Sequence, residues 1–250
     1  MRDLAAADTY ADNDLLLVVG GGNDAADLLG AYIKADSDQG LVFSLLLSEL
    51  LSGSEVLKAM TRGREGRMAA GHLHMQALAN RLVDHIKSDA LDKGAKRVVV
   101  LNMPDVSRSP RFGALLTNRS DAATLSRLTS AWVSSYNRQL QTRLTAYADR
   151  VLVVDFFALL NAWLDQPGAY GLSDTRTPAC PVTGTDSIGL PKYNLAQCAA
   201  ASLPADWEGH VFSDGFHGTP RINRLLAEAV LYAMHTKGHP FQGLCIWAFI

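Results

Sequence analysis

Asp214 and His217 stand three residues apart in the run Phe212-Ser213-Asp214-Gly215-Phe216-His217-Gly218-Thr219-Pro220. A carboxylate and an imidazole at that spacing on a turn can meet, the carboxylate accepting from the ring, fixing its tautomer and supporting the imidazolium that forms when the ring takes up a proton. That is the base half of a hydrolytic triad; an idle surface Asp–His pair fits the same spacing. A second segment, Gly20-Gly21-Gly22-Asn23-Asp24, closes an apolar run. Its glycines let the backbone turn sharply beside a ligand, and an Asn23 amide held there can donate to developing negative charge. A plain Gly-Asn-Asp turn is the alternative. No Gly-x-Gly-x-x-Gly or Walker lysine follows, which argues against a nucleotide site. Cys180 and Cys198, 18 apart in a Pro/Gly/Thr-rich stretch, are either a staple across a loop or two unrelated thiols, and Cys245 reads as one more free thiol. His72, His74, His85, His235 and His239 lack the spacing of a zinc helix motif, so no metal ligand is assigned.

The elements that must carry these residues alternate. Leu15–Val19, Val98–Leu101 and Val151–Val154 are short runs of β-formers, each entered from a charged residue and closed by a turn or polar residue. Such runs have the form of parallel strands buried on both faces. Between them, Met68–Asp92 carries Leu73, Leu78, Leu82, Val83 and Ile86 at helical spacing, with His72 and His74 at its start, and Leu125–Tyr147 carries Leu128, Trp132, Tyr136, Leu140 and Leu144. Strand and helix in alternation predict right-handed crossovers and a parallel sheet between helices, with ligand chemistry at the strands' C-terminal ends. After Phe157 regularity is expected to fail, and 165–210, rich in proline and glycine, reads as a long functional excursion. Thr219-Pro220 then opens a last helix as N-cap and first-turn proline.

Composition limits the function classes. The 250 residues are 48% apolar with 23 basic and 25 acidic side chains, enough for a full core and without the positive field that gathers nucleic-acid phosphates. No apolar stretch approaches the ~18 residues of a membrane span, so no integral membrane segment is expected; Leu41–Leu47 is far too short. The acidic N-terminus lacks the pattern of a signal peptide.

Together the two chemical segments resemble the SGNH/GDSL hydrolase family of esterases and lipases. Gly21-Gly22-Asn23-Asp24 matches that family's Gly-x-Asn-Asp block, Asn102-Met103-Pro104 its Asn-x-Pro strand end, and Asp214 with His217 its Asp-x-x-His block, in order, from about Asp14 to Met234. The likeness is to secreted bacterial lipases of the phospholipase/lecithinase type, with their cysteine-bearing insertion. The resemblance implies an α/β fold, a three-layer flavodoxin-like parallel sheet with helices on both faces. It implies ester hydrolysis through an acyl-enzyme, with His217 as base, Asp214 orienting it, Asn23 donating to the oxyanion, Gly21 shaping that turn and Asp24 structural. It further implies a small-molecule ester or lipid substrate, no metal or organic cofactor, and an extracellular or periplasmic location.

Departures from the pattern set the remaining expectations. No Gly-Asp-Ser block and no Gly-x-Ser-x-Gly elbow occurs, so the chain is read as one 1–250 domain that lacks the family fold's first two strands and its nucleophile. Little esterase activity alone is then expected, with Ser213 and Ser107 the first replacements to consider. Acyl transfer, and a non-catalytic pseudoenzyme or ligand-binding module, are the other readings. Without those strands, 15–19 is expected to be an open edge, inviting self-association, an N-terminal partner piece or cover by the apolar tail within 239–250. Gly218 replaces the usual proline after the histidine, and Ile222-Asn223 stands where many members carry Gly-His.

Overall fold

The computed structural model describes residues 9–186, 190–194, 198 and 202–238. The tail 239–250, with its expected covering role, His239 and Cys245, lies outside the described residues. In chain order, β1 (Leu16–Val18) is followed by α1 (Gly22–Lys34), α2 (Leu41–Ser48), α3 (Gly53–Thr61) and α4 (Gly63–Asp89). Then come β2 (Val98–Leu101), α5 (Pro110–Leu116), α6 (Ala122–Leu144), β3 (Val151–Val154) and α7 (Phe156–Asp165). A hairpin of β4 (Val182–Thr185) and β5 (Pro191–Tyr193) precedes α8 (Pro220–Thr236). The first three strands form one sheet in the order β1-β2-β3, β1 running parallel to β2 with Leu16, Leu17 and Val18 facing Val98, Val99 and Val100. The molecule is therefore of the α/β class. Contacts group residues 1–103 with 127–153 in one compact unit and 104–126 with 154–250 in another.

In the first unit the sheet's middle strand is buried at all four positions, as an unbroken Val-Val-Val-Leu run demands. β1 departs from the expectation of burial on both faces: Leu16 and Val18 are covered while Leu17 is 54% exposed and Val19 59%. The reason is topological, since β1 ends the strand order and one of its faces is left open among the described residues. Helix α1 forms because Ala25, Leu28, Leu29 and Tyr32 recur at one face, all buried. α3 starts on a capping box in which the Ser52 hydroxyl accepts from the Glu55 amide and the Glu55 carboxylate accepts from the Ser52 amide.

Helix α4 begins five residues before the expected Met68, so His72 and His74 lie in its interior rather than at its start. Its buried face agrees with the expected stripe at Val83 and Ile86 and differs elsewhere. It runs through Ala70, Gly71, His74, Met75, Ala79, Val83 and Ile86, and Leu73 points outward. At Gly71 the face is small because the indole of Trp132, on α6, lies against it. On α6 the expected stripe of Leu128, Trp132, Tyr136, Leu140 and Leu144 is buried throughout.

In the second unit, Leu160, Trp163 and Leu164 of α7 pack with Leu172, Val211, Phe212 and Ile222 of α8 in one apolar cluster. α7 occupies ground where regularity was expected to fail, opened by the Asp155 carboxylate accepting from the Ala158 amide at 3.1 Å. Among its described residues the excursion 165–210 holds the β4–β5 hairpin and short 3-10 turns at Pro167–Tyr170 and Trp207–Gly209. Cys180 and Cys198 are joined by a disulfide, with Cα atoms 5.1 Å apart. No helix among the described residues is long and apolar enough to cross a membrane.

His74 is a buried histidine (1% exposed) whose Nδ1 has no hydrogen-bond partner among the described residues. Burial lowers its pKa, against the raising influence of the Asp24 and Glu49 carboxylates; His72 is lowered in the same sense by burial and Arg138. The unfolded chain, with histidine at about 6.5, therefore takes up these protons first. Stability is expected to be full above that pH and to fall as pH drops through it. Urea midpoints at pH 7.5 and 5.5 measure the effect, and His74→Leu should flatten the slope; an unchanged slope would remove His74 as its source.

Candidate functional site

Asp214 and His217 are held by a closed turn. The Ser213 amide donates to the His217 carbonyl at 2.7 Å, and Phe212 and Gly218 form an antiparallel bridge. Thr219 then locks the exit: its hydroxyl donates to the His210 carbonyl at 2.7 Å and its oxygen caps α8 at the Ile222 amide. From the other side the Arg111 amide, in α5, donates to the Gly215 carbonyl at 3.0 Å. Phe112 packs edge-on to Phe216, and the Arg111 guanidinium lies 5.7 Å from that ring's centroid.

Within this turn the two oxygens of Asp214 divide the work. Oδ1 accepts from the amides of Phe216 (2.8 Å) and His217 (2.7 Å), which builds the turn, while Oδ2 accepts from the imidazole Nδ1 at 2.7 Å. Because a carboxylate only accepts, Nδ1 carries the proton and Nε2 is left with its lone pair. Burial works against charge on Asp214, but the His217 and Phe216 amides and the imidazole outweigh it and hold the pKa below the ordinary carboxylate value. The carboxylate thus stays ionised at any pH where an imidazole acts as base, and its stabilising contribution is lost only as pH falls below the usual carboxylate range. Asp214 is sheltered (13% exposed) and the His217 ring is open to solvent (80%).

Asn23 belongs to the other compact unit, in the first turn of α1. Gly21 precedes that helix in a left-handed conformation, φ +97°, and a side chain there would meet Met103 and the ring of Tyr136. The Tyr136 hydroxyl donates to the Gly20 carbonyl at 3.2 Å, and burial, followed by the charge of Asp24, raises its pKa. Asn23 itself is exposed and its amide makes no hydrogen bond among the described residues. The adjoining strand end is clamped by Asn137, whose side chain accepts from the Met103 amide and donates to the Met103 carbonyl, both at 2.8 Å.

Tyr136 and Asn137 were invisible as site-positioning residues in the sequence, where they read as part of a helix stripe and as an ordinary polar residue. His210 was missed as well; buried, it donates from Nδ1 to the Thr177 carbonyl at 2.8 Å and ties the excursion to the base turn. The serines considered as replacement nucleophiles are engaged: Ser213 donates to the Gly218 carbonyl at 3.1 Å and Ser107 to Asp105 Oδ1 at 2.6 Å. Ser135, which the sequence reading did not consider, lies 2.7 Å from His72 Nδ1, but it is buried and its hydroxyl donates to the Ala131 carbonyl. Gly218 and Ile222 share one space, since a Cβ at 218 would stand 2.7 Å from Ile222 Cγ2. The missing side chain after the histidine thus accommodates the large one in α8. Among the described residues no three His, Cys, Asp or Glu side chains are grouped to hold a metal ion.

The GDSL-like Lipase/Acylhydrolase family model matches residues 2–230. No curated relative matches the chain. The match covers the parallel sheet, the Gly-x-Asn-Asp turn and the Asp–His turn alike, and it carries the activity class of an esterase-type hydrolase with a small-molecule substrate. The chain belongs to the GDSL-like lipase/acylhydrolase family.

Proposed function

We propose that this chain carries the general base of an ester hydrolase that works through an acyl-enzyme. His217 Nε2 is the general base, Asp214 holds and charges it, Asn23 donates to the oxyanion and Gly21 sets the Asn23 turn. The observation that carries this reading is the division of labour at Asp214, one oxygen fixed by the backbone and the other committed to the imidazole. No Gly-Asp-Ser block occurs in the 250 residues, and Ser213 and Ser107 are engaged in their own turns. Water is therefore proposed as what the Asp214–His217 pair activates in this chain. The Cys180–Cys198 bond supports an oxidising, extracytoplasmic compartment. β1 ends the strand order among the described residues, which supports pairing with a further strand from a second polypeptide or copy, and its exposed Leu17 and Val19 would gain cover there.

Hydrolysis of p-nitrophenyl acetate by the purified chain is expected to be slow, free of a burst, and lost in His217→Ala. Its rate should lie about 10³-fold or more below that of a complete triad, and a fluorophosphonate probe should not label the protein. A rapid burst with a labelled serine would place the nucleophile within the chain. Slow hydrolysis indifferent to His217 would overturn the base assignment.

A further inference from the structure

In the first unit α2 and α3 form an antiparallel pair. The chain reverses at Ser52, and the Met60 methyl, at the end of α3, fills the space that a Cβ on Gly40 would take just before α2 begins. The inner sides of the pair are buried through Phe43 and Leu47 of α2 and Ala59 of α3. The outer sides are apolar too. Leu41, Val42 and Leu45 of α2 and Leu57 of α3 are 44–64% exposed. Helical spacing puts Leu41, Leu45 and Ser48 on one stripe, and the antiparallel run brings Leu57 to its level. No residue of α2 carries a charge.

The hydroxyls of this face are satisfied within their own helices. Ser44 donates to the Leu41 carbonyl at 2.9 Å, Ser48 to the Leu45 carbonyl at 2.7 Å and, on α3, Thr61 to the Leu57 carbonyl at 2.9 Å. Covering the face would therefore strand none of these donors. Its size fits burial as well. The four apolar residues present roughly 400 Å², as large as the patches that are commonly functional on a monomer. Two such faces, with the polar border an interface ordinarily carries, come to about 1,400 Å², within the range of a stable dimer.

The charges at the two ends of the pair indicate the partner. Glu49 and Glu55 stand at the closed end, where hydrogen bonds from the Ser52 hydroxyl and amide hold Glu55 below its ordinary pKa and so keep it ionised. Lys34, Lys58, Arg62 and Arg64 stand at the open end. Asp36 there is paired with Arg67, and the end stays basic with Asp38 and Glu65 counted. A two-fold axis through the middle of the stripe sets each copy's acidic end against the other's basic end. An anionic lipid surface would instead select a basic border all round. We propose that the outer face of the α2–α3 pair is the contact between two copies of this chain, with α2 of one copy antiparallel to α2 of the other. This contact is independent of the hydrolase reading and distinct from any pairing at β1.

Sedimentation velocity on the full chain across a concentration series tests it, and a reversible monomer–dimer equilibrium is expected. Leu45→Asp and Leu57→Asp, at exposed positions where folding is not at stake, should each weaken association by about tenfold or more. Leu17→Asp, on β1, should leave it unchanged. Glu49→Arg and Arg62→Glu should each weaken the dimer, and the two together in one chain should restore it, because each reversed charge then meets its opposite across the axis. A chain that stays monomeric throughout, a dimer indifferent to both leucine variants, or a double charge reversal no better than the single ones overturns the proposal. So does a monomer that binds phosphatidylglycerol vesicles through Leu45, which would make a lipid surface the occupant of this face.

Discussion

Trp132→Ala should lower the stability of the folded chain by about 3–5 kcal/mol, the loss expected for a large aromatic removed from a closed core. The side chain is 1% exposed, its ring meets Tyr32 edge-on at 5.5 Å, and its Nε1 donates to the Met68 carbonyl at 3.0 Å. Those contacts fix the indole from two sides, which makes the opposing glycine informative. Helix propensity alone says that Gly71→Ala stabilises by about 1 kcal/mol. Packing says the reverse, because a Cβ at 71 would fall inside the envelope of the Trp132 ring, and overpacking a ring that cannot retreat costs about 1–3 kcal/mol. The net effect in the parent protein is therefore destabilising. In a Trp132→Ala background the clash is gone and Gly71→Ala should become stabilising. A double-mutant cycle on urea midpoints measures that reversal of sign, and additive effects would show that Gly71 and Trp132 are not in contact.

The same contact explains what sequence reading reached and what it did not. The α6 stripe was legible because Leu128, Trp132, Tyr136, Leu140 and Leu144 are large and fall at helical spacing. On α4 Val83 and Ile86 were legible and are buried, but Gly71, which meets Trp132, carries no hydrophobic signal of its own, and attention to the leucines put Leu73 inside when it is outside. The last helix was legible from its Thr-Pro start, a cap whose side chain does bond the Ile222 amide. By contrast the Ser52–Glu55 capping box was present in the sequence and passed over, along with the helix it opens.

β1 shows a different limit. Its composition describes a strand apolar on both sides, yet exposure of Leu17 and Val19 depends on which neighbours the sheet supplies, a property of topology rather than of the strand. In the candidate site, Asp214 and His217 were legible from their spacing because the turn that joins them is local. The pair's supports were not: Arg111, His210 and Thr177 come from separate stretches of chain, and nothing in their local sequence marks them as partners. The exchange of bulk between Gly218 and Ile222 belongs to the same class. Each looks like an isolated departure from the family pattern until the two are seen to occupy one volume.

Gly21→Ala should cost about 2–3 kcal/mol while its neighbour Gly22→Ala stays within about 0.5 kcal/mol of the parent. The two glycines look equivalent in sequence and differ in conformation. Gly21 sits at φ +97°, where an L side chain is strained by about 1–2 kcal/mol, whereas Gly22 is helical with nothing within 4 Å of a Cβ built on it. Space adds to the difference at 21. The Met103 methyl, 2.5 Å from the added Cβ, is the end of a flexible side chain and can swing away, but the Tyr136 ring at 3.3 Å is buried and tethered through its hydroxyl to the Gly20 carbonyl. Relief must then come from the turn itself, moving the backbone that carries Asn23. Urea unfolding separates the two variants energetically, and the Asn23 side-chain amide resonance should shift in Gly21→Ala and stay in place in Gly22→Ala. Equal unfolding midpoints for the two would mean that the left-handed turn is not what fixes Asn23, and the oxyanion role given to that amide would lose its structural basis.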